Sequence, residues 1–209
     1  MIVFRLLYTR AEPKTSSTRF NEDGDLPARG LIPTYDWVFD RHLSWYDRDF
    51  PSPFLSTFCS WRRIMNWRRW MLRQDGVNIG DLYIVAIDTD RVNACYNAYD
   101  IARRLGYTDS GIHPRRQLSH HRDEYLIYGG ISADDYAILA IFPAGGDEVH
   151  CQVDGCLIPL PAAYLEYLSR LASHGLRMTV VEDLATEIYS STGVYSDRQL
   201  AALLTAMRR

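Results

Sequence analysis

The sequence predicts an α+β fold. Three observations carry this: short apolar runs of strand length recur up to about residue 145, segments with apolar residues at helical spacing lie between them, and the pattern beyond about residue 157 is wholly helical. With 209 residues at 47% hydrophobic, the chain is long enough for one core and a small appendage. Pro143 to Gly146 punctuates the change, which gives a domain at 1–145 and a helical extension at 157–209.

Ile2 to Leu7 reads as the first strand, apolar except for Arg5 within it. Thr9 to Gly30 is rich in Ser, Thr, Asp and Gly and reads as a long loop. Trp37, Val38, Phe39, His42 and Leu43 fall at helical spacing, so a helix is expected over Thr34 to Trp45. Asp47 to Pro53 is a turn with two prolines, and a strand follows from Phe54 to Phe58. It feeds at once into an amphipathic helix, Trp61 to Leu72, with Trp61, Ile64, Met65 and Leu72 on one side. The arginines of that helix read first as a solvated face. The alternative is a contact to a phosphate backbone, with Trp67 and Trp70 as stacking groups.

Leu82 to Ile87 is apolar without interruption and reads as a central strand. Asp88 to Tyr99 reads as irregular. Asp100 to Gly106 reads as a short helix capped by Asp100 and stopped by Gly106. Tyr107 to His121 reads as a polar loop. Two strands follow, Glu124 to Tyr128 and Tyr136 to Phe142, after a turn through Gly129 and Gly130. In the extension, Pro161 opens a helix that Gly175 closes, Val180 to Ser191 forms a second, and the capping box Ser196-Asp197-Arg198-Gln199 opens a last one to Met207.

A net charge of −3 gives no global argument for nucleic-acid or membrane binding. Nearly all positive charge is guanidinium, because Lys14 is the sole lysine. Cys59, Cys95, Cys151 and Cys156 are too few for a secreted disulfide framework, although Cys151 and Cys156 flank a tight turn that a local bridge could span. The start of the chain lacks the long apolar region of a signal peptide. No run reaches the roughly 18–20 apolar residues of a membrane helix. The expectation is a soluble intracellular protein without membrane contact, with export by another route left open. His113, His120, His121 and Asp123 match no closed zinc spacing, so no metal is expected. There is no phosphate-cradling glycine loop and no nucleophile elbow.

Three points on predicted strands form an ordered set: Arg5 in Phe-Arg-Leu-Leu, Ser56 and Thr57 in Phe-Leu-Ser-Thr, and Glu124 heading Glu-Tyr-Leu-Ile-Tyr-Gly-Gly. In this order they resemble the arginine–serine–glutamate pattern of the ADP-ribosyltransferase superfamily, cholera-toxin-like branch. The closer likeness is to an uncharacterised fungal domain family of the same layout. It is carried by His42-Leu43-Ser44-Trp45, Ser52-Pro53-Phe54-Leu55-Ser56, Asn66-Trp67, Ile87-Asp88-Thr89 and Glu124-Tyr125-Leu126. The resemblance spans about Ile2 to Phe142 and leaves the helical tail uncovered.

The resemblance implies an ADP-ribosyltransferase-like split, mixed β-sheet core with flanking helices around a cleft for NAD. It implies cleavage of the nicotinamide–ribose bond, with ADP-ribose passing to an acceptor that is protein, nucleic acid, small molecule or water. Arg5 would hold a phosphate or the nicotinamide ribose. Ser56, with Thr57 beside it, would order the site and support the glutamate. Glu124 would bond the ribose 2′-hydroxyl and stabilise charge as nicotinamide leaves, and His42 would be the accessory histidine. These residue types suit the task. A carboxylate opposite developing positive charge acts selectively in the transition state, and arginine offers a planar donor fork for a pyrophosphate.

Two departures stand out. Arginine-modifying members carry an acidic residue two positions before the glutamate, where this chain has Arg122, and Phe58 follows Ser-Thr in place of a second serine. Nothing therefore supports transfer to arginine. Two further readings stay open: a catalytically inactive recognition module of this fold, and a toxin whose helical tail serves delivery or an immunity partner.

Overall fold

The computed structural model describes residues 1–8, 25–44, 49–74, 77–78, 82–110, 114–132, 138–143, 150–153, 156–159 and 205–206. The strands are β1 (Ile2–Tyr8), β2 (Leu26–Pro27), β3 (Phe54–Phe58), β4 (Leu82–Asp88), β5 (Cys95–Asn97), β6 (Glu124–Tyr128), β7 (Gly130–Ile131), β8 (Ile138–Pro143), β9 (His150–Val153) and β10 (Cys156–Pro159). Three helices lie among them: α1 (Asp36–Leu43), α2 (Trp61–Met71) and α3 (Ala98–Arg104). The α+β class expected from the sequence holds.

Eight strands form one sheet in the order β10-β9-β8-β4-β1-β3-β6-β5, and β2 pairs with β7 in a small second sheet. The expectation of a mixed sheet is corrected, because every ladder among the described residues is antiparallel. The reason lies in β1. Strands β3 and β4, joined through α2, each run antiparallel to β1 and hence parallel to one another. They are not neighbours, because β1 inserts between them. The parallel relation survives in direction and is lost as a pairing.

The sheet is split. β1 matches β4 over seven residue pairs, from Ile2↔Asp88 to Tyr8↔Leu82. β3 matches β6 over five, from Phe54↔Tyr128 to Phe58↔Glu124. Between the halves, β1 and β3 share one registered pair, Phe4↔Phe58. Arg5, the next residue along β1, lies where this ladder has parted.

Two apolar clusters cover the two faces. Val3, Leu7, Leu55, Val85, Ile87 and Ile127 pack on one side. On the other, Phe54 and Leu126 pack against Val38, Phe39 and Leu43 of α1 and Ala98, Ile101 and Ala102 of α3. Alternation within β3 and β6 assigns their residues to these faces. Helix α2 buries Trp61 and Ile64, and the Trp61 ring meets Phe4 edge-on at 5.0 Å.

Several local expectations need adjustment. Helix α1 spans eight residues, shorter than Thr34 to Trp45, and Trp45 lies outside the described residues. Helix α3 starts earlier than expected and takes Asn97 as its cap, whose side chain accepts from the Asp100 N–H at 3.2 Å. Asn competes as well as Asp for that position, and β5 delivers Asn97 there. The stretch expected to be irregular holds a 3₁₀ turn (Thr89–Arg91) and β5, and the expected loop through residue 121 holds a second 3₁₀ turn, Leu118–His121. The end of the Thr9–Gly30 loop forms β2. The last strand of the expected domain starts at Ile138, and the sheet continues past residue 145 through β9 and β10. The helices expected in the extension lie outside the described residues, apart from the helical pair Thr205–Ala206. So do the side chains of Cys151 and Cys156, while Cys95 is a free thiol. Among the described residues no helix is long and apolar enough to cross a membrane.

Candidate functional site

The register of β3 and β6 builds the site. Ser56 lies opposite Leu126, and Phe58 opposite Glu124. Directly opposed residues share a face, so Phe54, Ser56 and Phe58 lie on the same side as Glu124, Leu126 and Tyr128. Ser56 and Glu124 are therefore diagonal neighbours on the face that α1 covers. Leu43 and Phe39 anchor α1 there, and its residue His42 comes down beside the strand, with its ring 5.5 Å from that of Phe54.

His42 joins two serines. Nδ1 is 2.6 Å from Ser52 Oγ, and Nε2 is 2.8 Å from Ser56 Oγ. Burial holds its pKa down to about 4, with Arg5 and His121 lowering it further and Glu124 opposing them. The ring is thus neutral near pH 7, with one donor and one acceptor nitrogen. Ser52 Oγ already accepts from the Phe54 N–H at 3.1 Å. The neutral ring donates to one of the two serines and accepts from the other, and the tautomer sets which.

Glu124 is 3% exposed. One carboxylate oxygen, Oε2, lies 2.5 Å from Nδ1 of His121, itself 4% exposed. Burial alone would raise the Glu124 pKa, but the His121 hydrogen bond and charge, with His42 and the Ser56 hydroxyl, outweigh it and hold the group below the ordinary carboxylate value. With His42 neutral, His121 is the main support. Ser56 adds to the acidity of Glu124 without closing a tight hydrogen bond, because the other oxygen, Oε1, is buried without a partner.

Arg5 comes from the other half of the sheet. Its guanidinium donates to the Ser56 carbonyl at 2.6 Å, across the place where the β1–β3 ladder ends. Burial lowers its pKa to about 10, and the charge of Glu124 works against that fall. It stays cationic at neutral pH. Its Nε is buried without a hydrogen-bond acceptor. The cluster thus holds a fixed cation and a fixed anion, each with one buried polar atom unmatched. Such atoms are costly to leave so.

The structure brings together Arg5, Ser56, Glu124 and His42. It does not bring in Thr57. Alternation along β3 turns Thr57 to the opposite face, where it is 0% exposed and donates to the Tyr125 carbonyl at 2.9 Å. Sequence reasoning missed the role of His121, weighing it only as a metal ligand. The available signal was its spacing three residues before the glutamate, which the 3₁₀ turn converts into contact. His120, next to it, is exposed. Among the described residues no group of three or more His, Cys, Asp or Glu side chains could hold a metal ion. Arg122, two positions before Glu124, is exposed and outside the cluster. A cavity of about 210 Å³ lies elsewhere, at the far end of β6, lined by Pro27, Arg91, Val92, Gly129, Gly130 and Ile131. No residue of the cluster lines it.

A family model described as a domain of unknown function (DUF7587) matches residues 2–145, a span that includes every residue of the cluster. No curated protein matches the chain. Among solved structures, one titled "EcPltA" is similar at 19% identity with a TM-score of 0.45, over 77% of this chain and 82% of that one.

Proposed function

Since the chain belongs to the DUF7587 family of domains of unknown function, we propose from the chemistry of its cluster that it is an ADP-ribosyltransferase-like protein. In this reading it binds NAD and cleaves the nicotinamide–ribose bond, releasing ADP-ribose to an acceptor or to water. One observation carries the reading: Arg5 and Glu124 stand on opposite halves of a split sheet, oppositely charged, and each keeps one buried polar atom unmatched. A ligand with an anionic diphosphate and a ribose that turns cationic suits both groups at once.

NAD supplies a glycosidic bond whose cleavage places positive charge on the ribose. Everything else in the proposal falls to this chain. Glu124 presents Oε1 as acceptor for a ribose hydroxyl, and its charge is held by His121 on Oε2. The low pKa of Glu124 keeps it ionised at neutral pH, as electrostatic stabilisation of a cation requires. Arg5 directs a guanidinium that does not lose its charge near pH 7. His42, bonded to both Ser52 and Ser56, fixes the Ser56 hydroxyl on the Glu124 side of β3.

A second reading, an inactive recognition module of the same fold, is favoured by one observation. Arg122 occupies the place of the second acidic residue in arginine-modifying members, and it points away to solvent. Nicotinamide release from NAD, measured for the wild type beside Glu124→Ala, separates the two. Release that vanishes in the variant supports catalysis. A wild type that releases none and gains no thermal stability from NAD up to about millimolar supports the module. Equal release from both proteins overturns the proposed role of Glu124.

A further inference from the structure

The outward face of α2 carries arginines and an exposed tryptophan together. Arg62, Asn66, Arg69, Trp70 and Arg73 recur at spacings of four, three, one and three residues, and all five are exposed. Arg62 to Trp70 form one stripe about 12 Å long at the helical rise of about 1.5 Å per residue, and Arg73 follows in the turn just past the helix end. Trp70 is 50% exposed and stacks on Trp67, ring centroids 5.1 Å apart at 30°. No acidic residue occurs between Asp49 and Asp75, although the net charge of the chain is −3.

The placement works against the helix itself. The first turn of α2 holds no acid and carries Arg62 and Arg63 beside the positive end of the helix dipole. Arg69 in the last turn and Arg73 just past the C-cap are like charges four residues apart. Only Arg63 turns inward among these four, donating to the His120 carbonyl. A helix that needed only to cover Phe4 with Trp61 and Ile64 would gain from a glutamate at any of the exposed sites. An external row of negative charges compensates all the repulsions together, and a flat aromatic pair beside it accepts unpaired bases.

We propose that this face of α2 is a docking surface for single-stranded nucleic acid, with Arg62, Arg69 and Arg73 on phosphates and the Trp67–Trp70 stack under bases. A single strand offers phosphates and unstacked bases at a regular spacing, which a duplex hides, so the exposed Trp70, stacked on the half-buried Trp67, favours the single strand. The surface stands independently of NAD chemistry. Its N-terminal end adjoins the turn that carries His121, through the contact of Arg63 with His120.

The test uses the full chain and fluorescence anisotropy with labelled mixed-sequence DNA and RNA single strands of about 20 nucleotides. Binding is expected, with affinity falling roughly eighteen-fold between about 50 and about 200 mM salt, the slope for three phosphate contacts at about −0.7 each. The triple substitution Arg62→Gln, Arg69→Gln, Arg73→Gln should weaken binding at least tenfold and flatten the salt slope. Trp70→Ala should weaken it about fivefold or more while leaving the slope. All four side chains are exposed, so unchanged melting curves are expected of both variants. Absence of wild-type binding at the lower salt overturns the proposal, as does equal binding by the triple variant. Displacement of the oligonucleotide by polyglutamate as readily as by unlabelled single strand, with no effect of Trp70→Ala, overturns it in favour of an acidic protein partner.

Discussion

Acidification from pH 7 to pH 5 should destabilise this fold through His42. The groups facing that ring are the Ser52 and Ser56 hydroxyls, the Phe54 ring, Arg5, His121 and Glu124. Burial dominates them and holds the pKa down to about 4, against about 6.5 in an unfolded chain. Between those values the unfolded chain binds a proton that the native state refuses. Stability is therefore complete above about pH 6.5 and is lost as the pH falls toward about 4. Linkage over the interval from pH 7 to pH 5 gives a loss of about 2 kcal/mol from this residue. The depressed pKa of Glu124 acts in the same direction, but mostly below pH 5, where unfolded carboxylates begin to protonate. Urea denaturation followed by tryptophan fluorescence at the two pH values, for wild type and His42→Gln, isolates the effect. The glutamine amide can still bond both serines and does not titrate. The variant should lose about 2 kcal/mol less than the wild type between the two conditions. Equal losses in both proteins would refute the reasoning.

Other perturbations have equally definite outcomes. His121→Ala leaves the Glu124 carboxylate buried without its donor, and should cost about 1–3 kcal/mol at neutral pH in the same denaturation assay. A smaller loss of stability on acidification than the wild type shows would mark the expected rise of the Glu124 pKa in that variant. Gly130→Ala places a Cβ 2.7 Å from the Leu26 carbonyl oxygen at a φ of +107°, so it should separate β7 from β2 and lower stability by about 1–3 kcal/mol or more, read as a fall in Tm. Asn97→Ala removes the cap of α3 and should cost about 1 kcal/mol, whereas Asp100→Ala, at the position that sequence alone suggested, should cost less. In the NAD assay, Thr57→Val should retain the activity that Ser56→Ala impairs, because Thr57 faces the opposite side of the sheet.

The sequence made β3 and β6 legible because each is a short apolar run between strong breakers, and their bounds coincide with the expected ones. Alternation within β3 was equally readable. Applied strictly, it separates Thr57 from Ser56, which the likeness of two hydroxyls had obscured. His42 was visible only as one member of an apolar helical pattern. Its contact with Ser56 depends on α1 packing over β3, a tertiary event with no local mark. His121 went unread because a polar loop hides a 3₁₀ turn, whose weak periodicity has few residues in which to show. Strand direction was hidden for a related reason. Alternation reports faces and never neighbours, so nothing in β1 announces that it will slip between β3 and β4.

The single registered pair between β1 and β3 has a mechanical consequence. One registered pair holds the two half-sheets together at that seam, and the Arg5 bond to the Ser56 carbonyl acts as a strap across it. A molecule gripped by Arg5 on one side and Glu124 on the other becomes a rivet. Its affinity and the rigidity of the whole sheet are then one free energy seen twice, and at a hundred times its dissociation constant the rivet adds about 2.7 kcal/mol to the cost of unfolding. Amide exchange along β1 and β3 should slow in proportion, and strands far from the seam, such as β5, should slow only to the extent that they open with it.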